Sequence, residues 1–422
     1  MSAPRQAPKS FRLHIGIFGR RNAGKSALLN MLTRQEVSIV SDVPGTTTDP
    51  VEKPMEMLPL GPVLFIDTAG VDDVGALGFA RVARTRQVLD RTDVALLVLD
   101  AGRWEAFEEE LLAEFRGRGI PVIVVCNKSD LAPPPSDLIA RLQSERLPWV
   151  QTAAAMGQGR EDVRAALVRC VPEEHIHPPP LIADLVRPGD TAILVIPIDK
   201  EAPKGRIIQP QVLAIRELLD HGCLALAVRD TELKQALDRL AVPPAVVVTD
   251  SQAFARVAAD TPQAIPMTSF SILLARQKGD LTQFVEGALA IDDLRPGDRV
   301  LVAESCSHHP IADDIGREKI PRWLQEHVGG TLHFTTVQGH DFPDDLSPYK
   351  LLVHCGACMW TRREVLHRLL RCRAAGVPVC NYGMTIAYTL GMFERALRPF
   401  PEAERAYRAA RLRREASVAT QT

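Results

Sequence analysis

Short apolar runs alternate with helical stretches along most of the chain. Between about residues 11 and 170 the runs are Leu13–Phe18, Val63–Ile66, Val94–Leu99, Val122–Cys126 and Trp149–Gln151. Strand-length runs separated by helical periodicity predict an α/β domain with a mainly parallel sheet. The stretch Val171–Pro180, rich in Pro and His, breaks the pattern and reads as a linker. A second α/β unit is predicted from strand-like Thr191–Ile196, Leu224–Val228 and Ala245–Val248, with helices at Gln211–Leu219 and Thr231–Leu240. A third carries strand-like Arg299–Ala303, Leu332–Thr335 and Leu351–His354. The expected domains are therefore 1–172, 181–262 and 263–400, followed by a charged tail at 401–422 read as a helix with a frayed, disordered end. The tetrapeptide Arg-Pro-Gly-Asp occurs at 187–190 and 295–298. Each copy precedes a strand-like run and is read as a pair of Pro-Gly turns, not a structural repeat.

The first domain carries Gly19-Arg20-Arg21-Asn22-Ala23-Gly24-Lys25-Ser26, a match to GxxxxGK[ST] between a strand and a helix. That context is what a phosphate loop needs. Glycines let backbone N–H groups turn inward, Lys25 reaches the β- and γ-phosphates, and the Ser26 hydroxyl ligates Mg²⁺. The helix that follows directs its positive end at the anion. Asp67-Thr68-Ala69-Gly70 ends the next apolar run, placing Asp67 for Mg²⁺ and the Gly70 N–H for the γ-phosphate. Asn127-Lys128-Ser129-Asp130 ends a later one, and Asp130 can accept two N–H bonds from guanine but not from adenine. Three motifs in order at strand ends predict a GTP site.

This trio resembles the translation-factor-like GTPases, in particular the branch containing the tRNA-modification GTPase MnmE. By that resemblance Ser41–Asp49 is the first switch, Thr47 senses the γ-phosphate and Mg²⁺, and Ala153-Ala154 belongs to the weak fifth motif. Asn22 matches the residue that holds K⁺ against the phosphates in that branch. The resemblance thus implies K⁺-stimulated GTP hydrolysis, with Lys25, Thr47 and Gly70 as the catalytic set. Val71 stands where Ras-type enzymes place a water-orienting Gln.

Of the eight cysteines, five fall in the last third. Cys306-Ser307-His308-His309 follows one strand-like run, and His354-Cys355-Gly356-Ala357-Cys358 follows another. Two strand ends with soft ligands can meet over one centre, and Gly356 is expected to make the tight turn. Cys306, Cys355 and Cys358 with one variable ligand suit a 4Fe–4S cluster, and with His308 they equally suit tetrahedral zinc. His309, His354 and Glu304 are alternative fourth ligands. Cys372 and Cys380 lack ligand-like neighbours and are expected in the core.

Taken together, the GTPase motifs, a central α/β unit and the CxH…HCxxC pattern resemble the FeFe-hydrogenase maturation GTPase family, HydF. The 45 residues 309–353 between His308 and His354 resemble that family's spacing, and Pro197–Arg206 looks like a stretch of its central domain. The resemblance implies a homodimer or higher oligomer and a cluster on Cys306, Cys355 and Cys358. It further implies delivery of a di-iron precursor to apo FeFe-hydrogenase, in company with radical-SAM maturases. The alternative is an RNA- or ribosome-linked GTPase with a structural Cys₃His zinc.

Composition narrows this further. Hydrophobic residues make up 46% and the formal net charge is -2, so sizeable cores are affordable in charge terms and no basic field points to nucleic acid. No apolar run approaches the ~20 residues of a membrane span, and the first residues do not read as a secretory signal, so a cytoplasmic protein is expected.

Overall fold

The computed structural model describes residues 8–33, 51–68, 87–176, 178–198, 207–305 and 314–421. The chain divides into two compact units, Met1–Pro178 and Pro179–Thr422.

The first unit is built on β1 (Leu13–Phe18), β2 (Val51–Met57), β3 (Gly61–Asp67), β4 (Val94–Asp100), β5 (Val122–Asn127) and β6 (Trp149–Gln151), in the order β2-β3-β1-β4-β5-β6. All neighbours are parallel except β2, which runs antiparallel to β3. The apolar runs form central strands because both faces of the sheet are covered: Ile15, Val63, Leu96 and Val125 enter one core, Leu64, Leu97, Leu99 and Val124 the other. Sequence periodicity missed β2. Its residues, VEKPMEM, are mostly polar and include Pro54, a composition tolerated only at a sheet edge.

The second unit holds two four-stranded, all-parallel sheets. One comprises β7 (Thr191–Val195), β8 (Leu224–Val228), β9 (Val246–Thr249) and β10 (Met267–Ser269), in the order β10-β9-β7-β8. The other comprises β11 (Arg299–Glu304), β12 (His333–Gln338), β13 (Leu351–His354) and β14 (Val379–Asn381), in the order β12-β11-β13-β14. Each sheet places its first strand between its second and third, with the fourth outermost.

This corrects the reading of Arg-Pro-Gly-Asp as a mere pair of turns, because the tetrapeptide opens two copies of one topology. Each turn closes with Asp N–H donating to Arg O, at 2.9 Å (Asp190 to Arg187) and 3.0 Å (Asp298 to Arg295). Gly189 (φ 88°) and Gly297 (φ 94°) take the left-handed position. Each of these glycines then donates to the carbonyl before or near the next strand, Gly189 to Gly222 at 2.9 Å and Gly297 to Thr331 at 2.8 Å. Four shared residues are too few to reveal the repeat, since a parallel sheet is specified by burial pattern and not by identity.

β10 and β14 went unseen because three residues carry no period. The expected boundary at 262/263 falls between β9 and its neighbour β10, and both sheets share one core running from Leu181 to Tyr407. Their carboxyl ends meet. Lys319 donates to Gln252 Oε1 at 2.8 Å, Asn381 Nδ2 donates to Ser271 O at 2.9 Å, and a Cβ on Gly383 would stand 2.8 Å from Ser251 Oγ. Cys372 and Cys380 are fully buried, as expected. The tail forms the helix Pro401–Gln421, so it is helical where a disordered end was expected. Among the described residues no helix is long and apolar enough to cross a membrane.

Candidate functional site

The phosphate loop joins β1 to the helix Lys25–Thr33. Gly24 (φ 92°) lies so close to β5 that a Cβ there would meet Asn127 Nδ2 at 2.2 Å. Asn22 also adopts positive φ (60°), which Asn tolerates better than most residues. Lys25 is buried, and its Nζ donates to Gly19 O at 2.9 Å and Arg20 O at 2.7 Å, so the ammonium lies over the loop. Ser26 Oγ donates to Asp67 Oδ2 at 2.8 Å. Asp67 Oδ1 is buried without a hydrogen-bond partner, and burial raises the carboxyl's pKa against the opposing pull of Ser26 and Lys25. A hydroxyl and a carboxylate oxygen left open are the hard donors that Mg²⁺ takes.

Asn127 ties three segments together. Its Nδ2 donates to Ala23 O at 2.9 Å, while its Oδ1 accepts from Thr152 Oγ1 at 2.9 Å and from Ala154 N–H at 3.0 Å. Lys128 (φ 58°) donates to Asp100 Oδ2 at 2.9 Å, and Asp130 is exposed at the loop's end. Ala153 pairs with Gln158 across the following turn. Thus Gly19, Asn22, Gly24, Lys25, Ser26, Asp67, Asn127, Lys128, Asp130, Ala153 and Ala154 gather at the carboxyl ends of β1, β3, β5 and β6. Thr47, Gly70 and the stretch Ser41–Asp49 lie outside the described residues. Sequence reasoning missed Thr152, and also Arg20, whose guanidinium grips buried Glu108 at 2.8 and 3.0 Å and so ties the loop to the helix Ala106–Gly117. Neither belongs to the loop's nucleotide signature.

In the second unit β11 and β13 are neighbours, with Ala303 opposite His354. Past their ends, Cys355 N–H donates to Ala303 O at 2.9 Å. The Cys355 sulfur accepts from Ser305 N–H at 3.1 Å and Ala357 N–H at 3.5 Å, and Ser305 Oγ stands 3.1 Å away. Backbone donors converging on one sulfur are contacts of the kind that orient a metal-ligating cysteine. Burial, above all, raises the Cys358 thiol. The left-handed residue of this turn is Ala357 (φ 51°), not Gly356 as expected; Lys278 holds it, as its Nζ donates to Ala357 O at 2.8 Å, Cys358 O at 3.2 Å and Trp360 O at 2.6 Å. Burial lowers the Lys278 ammonium to about 8, against the pull of Cys358, Glu364 and Cys355.

Two alternative fourth ligands are already engaged. His354 is buried; its Nδ1 lies 2.8 Å from Cys355 O and its Nε2 3.3 Å from Arg368 Nη1. Burial, then Arg368, lowers the ring to about 3, so Nδ1–H donates and Nε2 accepts. Glu304 is buried and accepts from Gln338 Nε2 at 2.9 Å. Cys306, His308 and His309 lie outside the described residues, and among the described ones no three His, Cys, Asp or Glu side chains converge on a metal position. What is on view is two thiols, Cys355 and Cys358, with the residue before Cys306 bonded to one of them.

Three family models match stretches between residues 14 and 399. Residues 181–279 match that described as Hydrogen maturase F dimerization domain, and 282–399 that of Hydrogen maturase F tetramerization domain. The chain belongs to the hydrogen maturase F family.

Residues 14–128 match the family model described as 50S ribosome-binding GTPase, so this part of the chain is a GTPase domain. That part is similar to the tRNA modification GTPase MnmE of Synechococcus sp. (strain CC9605), 42% identical over 168 residues, 37% of this chain and 34% of that protein. MnmE of Synechococcus sp. (strain JA-3-3Ab) is 40% identical over 169 residues, 39% of this chain and 35% of that protein. The chain spans about a third of the length of these curated relatives. Among solved structures, Aquifex aeolicus Era bound to GDP and aluminium fluoride is 24% identical, covering 51% of this chain and 92% of that one at a TM-score of 0.35. The G domain of T. maritima FeoB is 23% identical, covering 37% and 98% at a TM-score of 0.30.

Proposed function

We propose that this chain is a GTP-hydrolysing scaffold of FeFe-hydrogenase maturation. It holds a 4Fe–4S cluster on Cys306, Cys355 and Cys358 and carries a di-iron precursor to apo-hydrogenase. The observation that carries the cluster reading is the bond from Ser305 N–H to Cys355 Sγ: it brings the chain, one residue short of Cys306, to the CxxC loop. Family membership supports the maturation role. With His354 and Glu304 engaged, His308 is the preferred fourth ligand and His309 its rival. A weakly held fourth position suits a carrier, because its cargo must bind and leave. When bound, the cluster supplies soft, redox-active iron; the chain supplies thiolates, N–H donors to sulfur and a largely buried setting.

In the GTPase domain, N–H groups of Gly19 to Gly24 and Lys25 hold the phosphates. Ser26, Asp67 and Thr47 hold Mg²⁺, and Gly70 touches the γ-phosphate. Asn127, Lys128, Asp130, Ala153 and Ala154 frame guanine, and K⁺ on Asn22 offsets transition-state charge as an arginine finger does. Hydrolysis resets the switch around Thr47 and Gly70 and so alters partner contacts. The names of the two family models support a homodimer that assembles further, and radical-SAM maturases are the upstream partners. The cytoplasm is the proposed location.

Anaerobic purification with iron, sulfide and zinc analysis and EPR tests the reading. A brown protein with about four irons per chain, lost in Cys355→Ser, is expected. A colourless protein with one zinc would instead favour an RNA-linked GTPase, the reading that the name of the model matching residues 14–128 favours.

A further inference from the structure

The helix Ala106–Gly117 holds the phosphate loop on both sides of Gly19. On one side, the Phe18 ring at the end of β1 meets Phe115 edge-on, with centroids 5.1 Å apart and planes at 65°. On the other, the Arg20 guanidinium makes two bonds to Glu108, Nε to Oε1 at 2.8 Å and Nη2 to Oε2 at 3.0 Å. Glu108 and Phe115 are seven residues apart, two turns along one face of the helix. Gly19 between them has no room to yield, since a Cβ there would meet Val98 O of β4 at 2.3 Å.

Glu108 is itself fixed. It is 1% exposed, and its Oε2 also accepts from Glu105 N–H at 2.9 Å, closing the first turn of the helix. Glu105 adds a second carboxylate 3.2 Å from Arg20 Nη2, and the Phe107 ring centre lies 5.4 Å from the guanidinium. A buried carboxylate needs a cation, and a two-bonded arginine fixes orientation as well as distance. The other end of this constraint is the main chain of Arg20. Its carbonyl, with that of Gly19, accepts from the Lys25 ammonium at 2.7 and 2.9 Å.

We propose that Glu108 is a positioning residue for GTP binding: through Arg20 it sets the first half of the phosphate loop, and with it the carbonyls that aim Lys25 at the phosphates. A helix that carries no part of the nucleotide signature thereby shapes the loop before GTP arrives. This rests on the GTP-site reading above. A pair that only held the domain together would affect stability and leave the nucleotide affinity of the folded protein alone.

The test uses the full chain as wild type, Glu108→Gln, Arg20→Gln and the double variant, each shown by circular dichroism to be folded at the working temperature. Glu108→Gln keeps an acceptor for Glu105 N–H and removes the charge. Fluorescent GDP and GTP titrations should show each single variant binding about tenfold more weakly than wild type. The double variant should lose about tenfold as well, not a hundredfold, because the two side chains act as one unit. Affinities equal to wild type in the folded single variants would overturn the proposal, and so would losses that multiply in the double variant. A faster GTP turnover in Glu108→Gln would also overturn it, since Glu108 would then be withholding Arg20 from the phosphates. Should Arg20→Gln fail to fold, Arg20→Lys, which cannot make both bonds, completes the same cycle with the same outcomes. A wild type that binds no guanine nucleotide defeats the GTP-site reading itself, a result separable from unmoved affinities in the variants.

Discussion

The backbone N–H of Ser305 points at the sulfur of Cys355 from 3.1 Å, with the Ser305 hydroxyl at the same distance. The two residues are fifty apart in sequence and are joined only because β11 and β13 pair in parallel, with Ala303 opposite His354. Hydrogen bonds to a thiolate stabilise it, by about 1.5–3 kcal/mol for charged acceptors. Ser305→Ala keeps the N–H and removes the hydroxyl. Loss of iron to a chelator from the reconstituted protein should quicken about tenfold, followed by visible absorbance. An unchanged rate would mean that the hydroxyl plays no part.

Asn127 satisfies Ala23 O, Thr152 Oγ1 and Ala154 N–H at once. Truncation leaves buried polar groups unpaired, at ~1–3 kcal/mol each. Asn127→Ala should lower the stability of the GTPase unit by about 2–4 kcal/mol and weaken GTP binding by ~100-fold or more. Urea denaturation and fluorescent-nucleotide titration read the two effects separately.

Asp130 is exposed at the end of its loop, and the proposed function has it accept two N–H bonds from guanine. Asn in its place offers one acceptor and a donor, which suits a base with a carbonyl where guanine has its amino group. Asp130→Asn should cost GTP affinity by ~10²-fold or more while raising affinity for xanthosine triphosphate. Competition binding decides it, and equal losses for both nucleotides would rule the pairing out.

The positive-φ Asn22 sits in the phosphate loop between Gly19 and Gly24. If its side chain helps hold a monovalent cation, GTP hydrolysis should be several-fold faster in KCl than in NaCl, and Asn22→Ala should abolish the difference. Equal rates in the two salts would remove K⁺ from the mechanism.

His14 lies buried in β1, its ring facing the carbonyls of Arg91 at 3.1 Å and Lys9 at 3.0 Å. Burial outweighs these bonds and lowers the ring to about 4 from 6.5. The unfolded chain therefore takes up a proton that the folded one refuses. The stabilisation is complete above pH ~6.5 and is lost as pH falls toward ~4, at up to about 1.4 kcal/mol per pH unit. Urea midpoints between pH 7.5 and 4.5 should show that slope in the wild type and a shallower one in His14→Gln.

The central strands and the nucleotide motifs were legible in the chain itself. Buried parallel strands must be continuously apolar, and a phosphate loop must have glycine, lysine and serine at set spacing, so β1, β3, β4 and β5 and the residues Gly19 to Ser26 declare themselves locally. The same locality hid β2, β10 and β14: an edge strand bears polar residues, and three residues show no period. It hid the repeat in the second unit too, where two sheets share an order but little identity. Long-range relations belong to the tertiary structure alone. Only folding could bring Ser305 to Cys355, commit both ring nitrogens of His354, or send Lys278 from the helix after β10 into the loop that carries Cys355 and Cys358. The residue types that bind are written in sequence, but which of them remain available is decided by what packs around them.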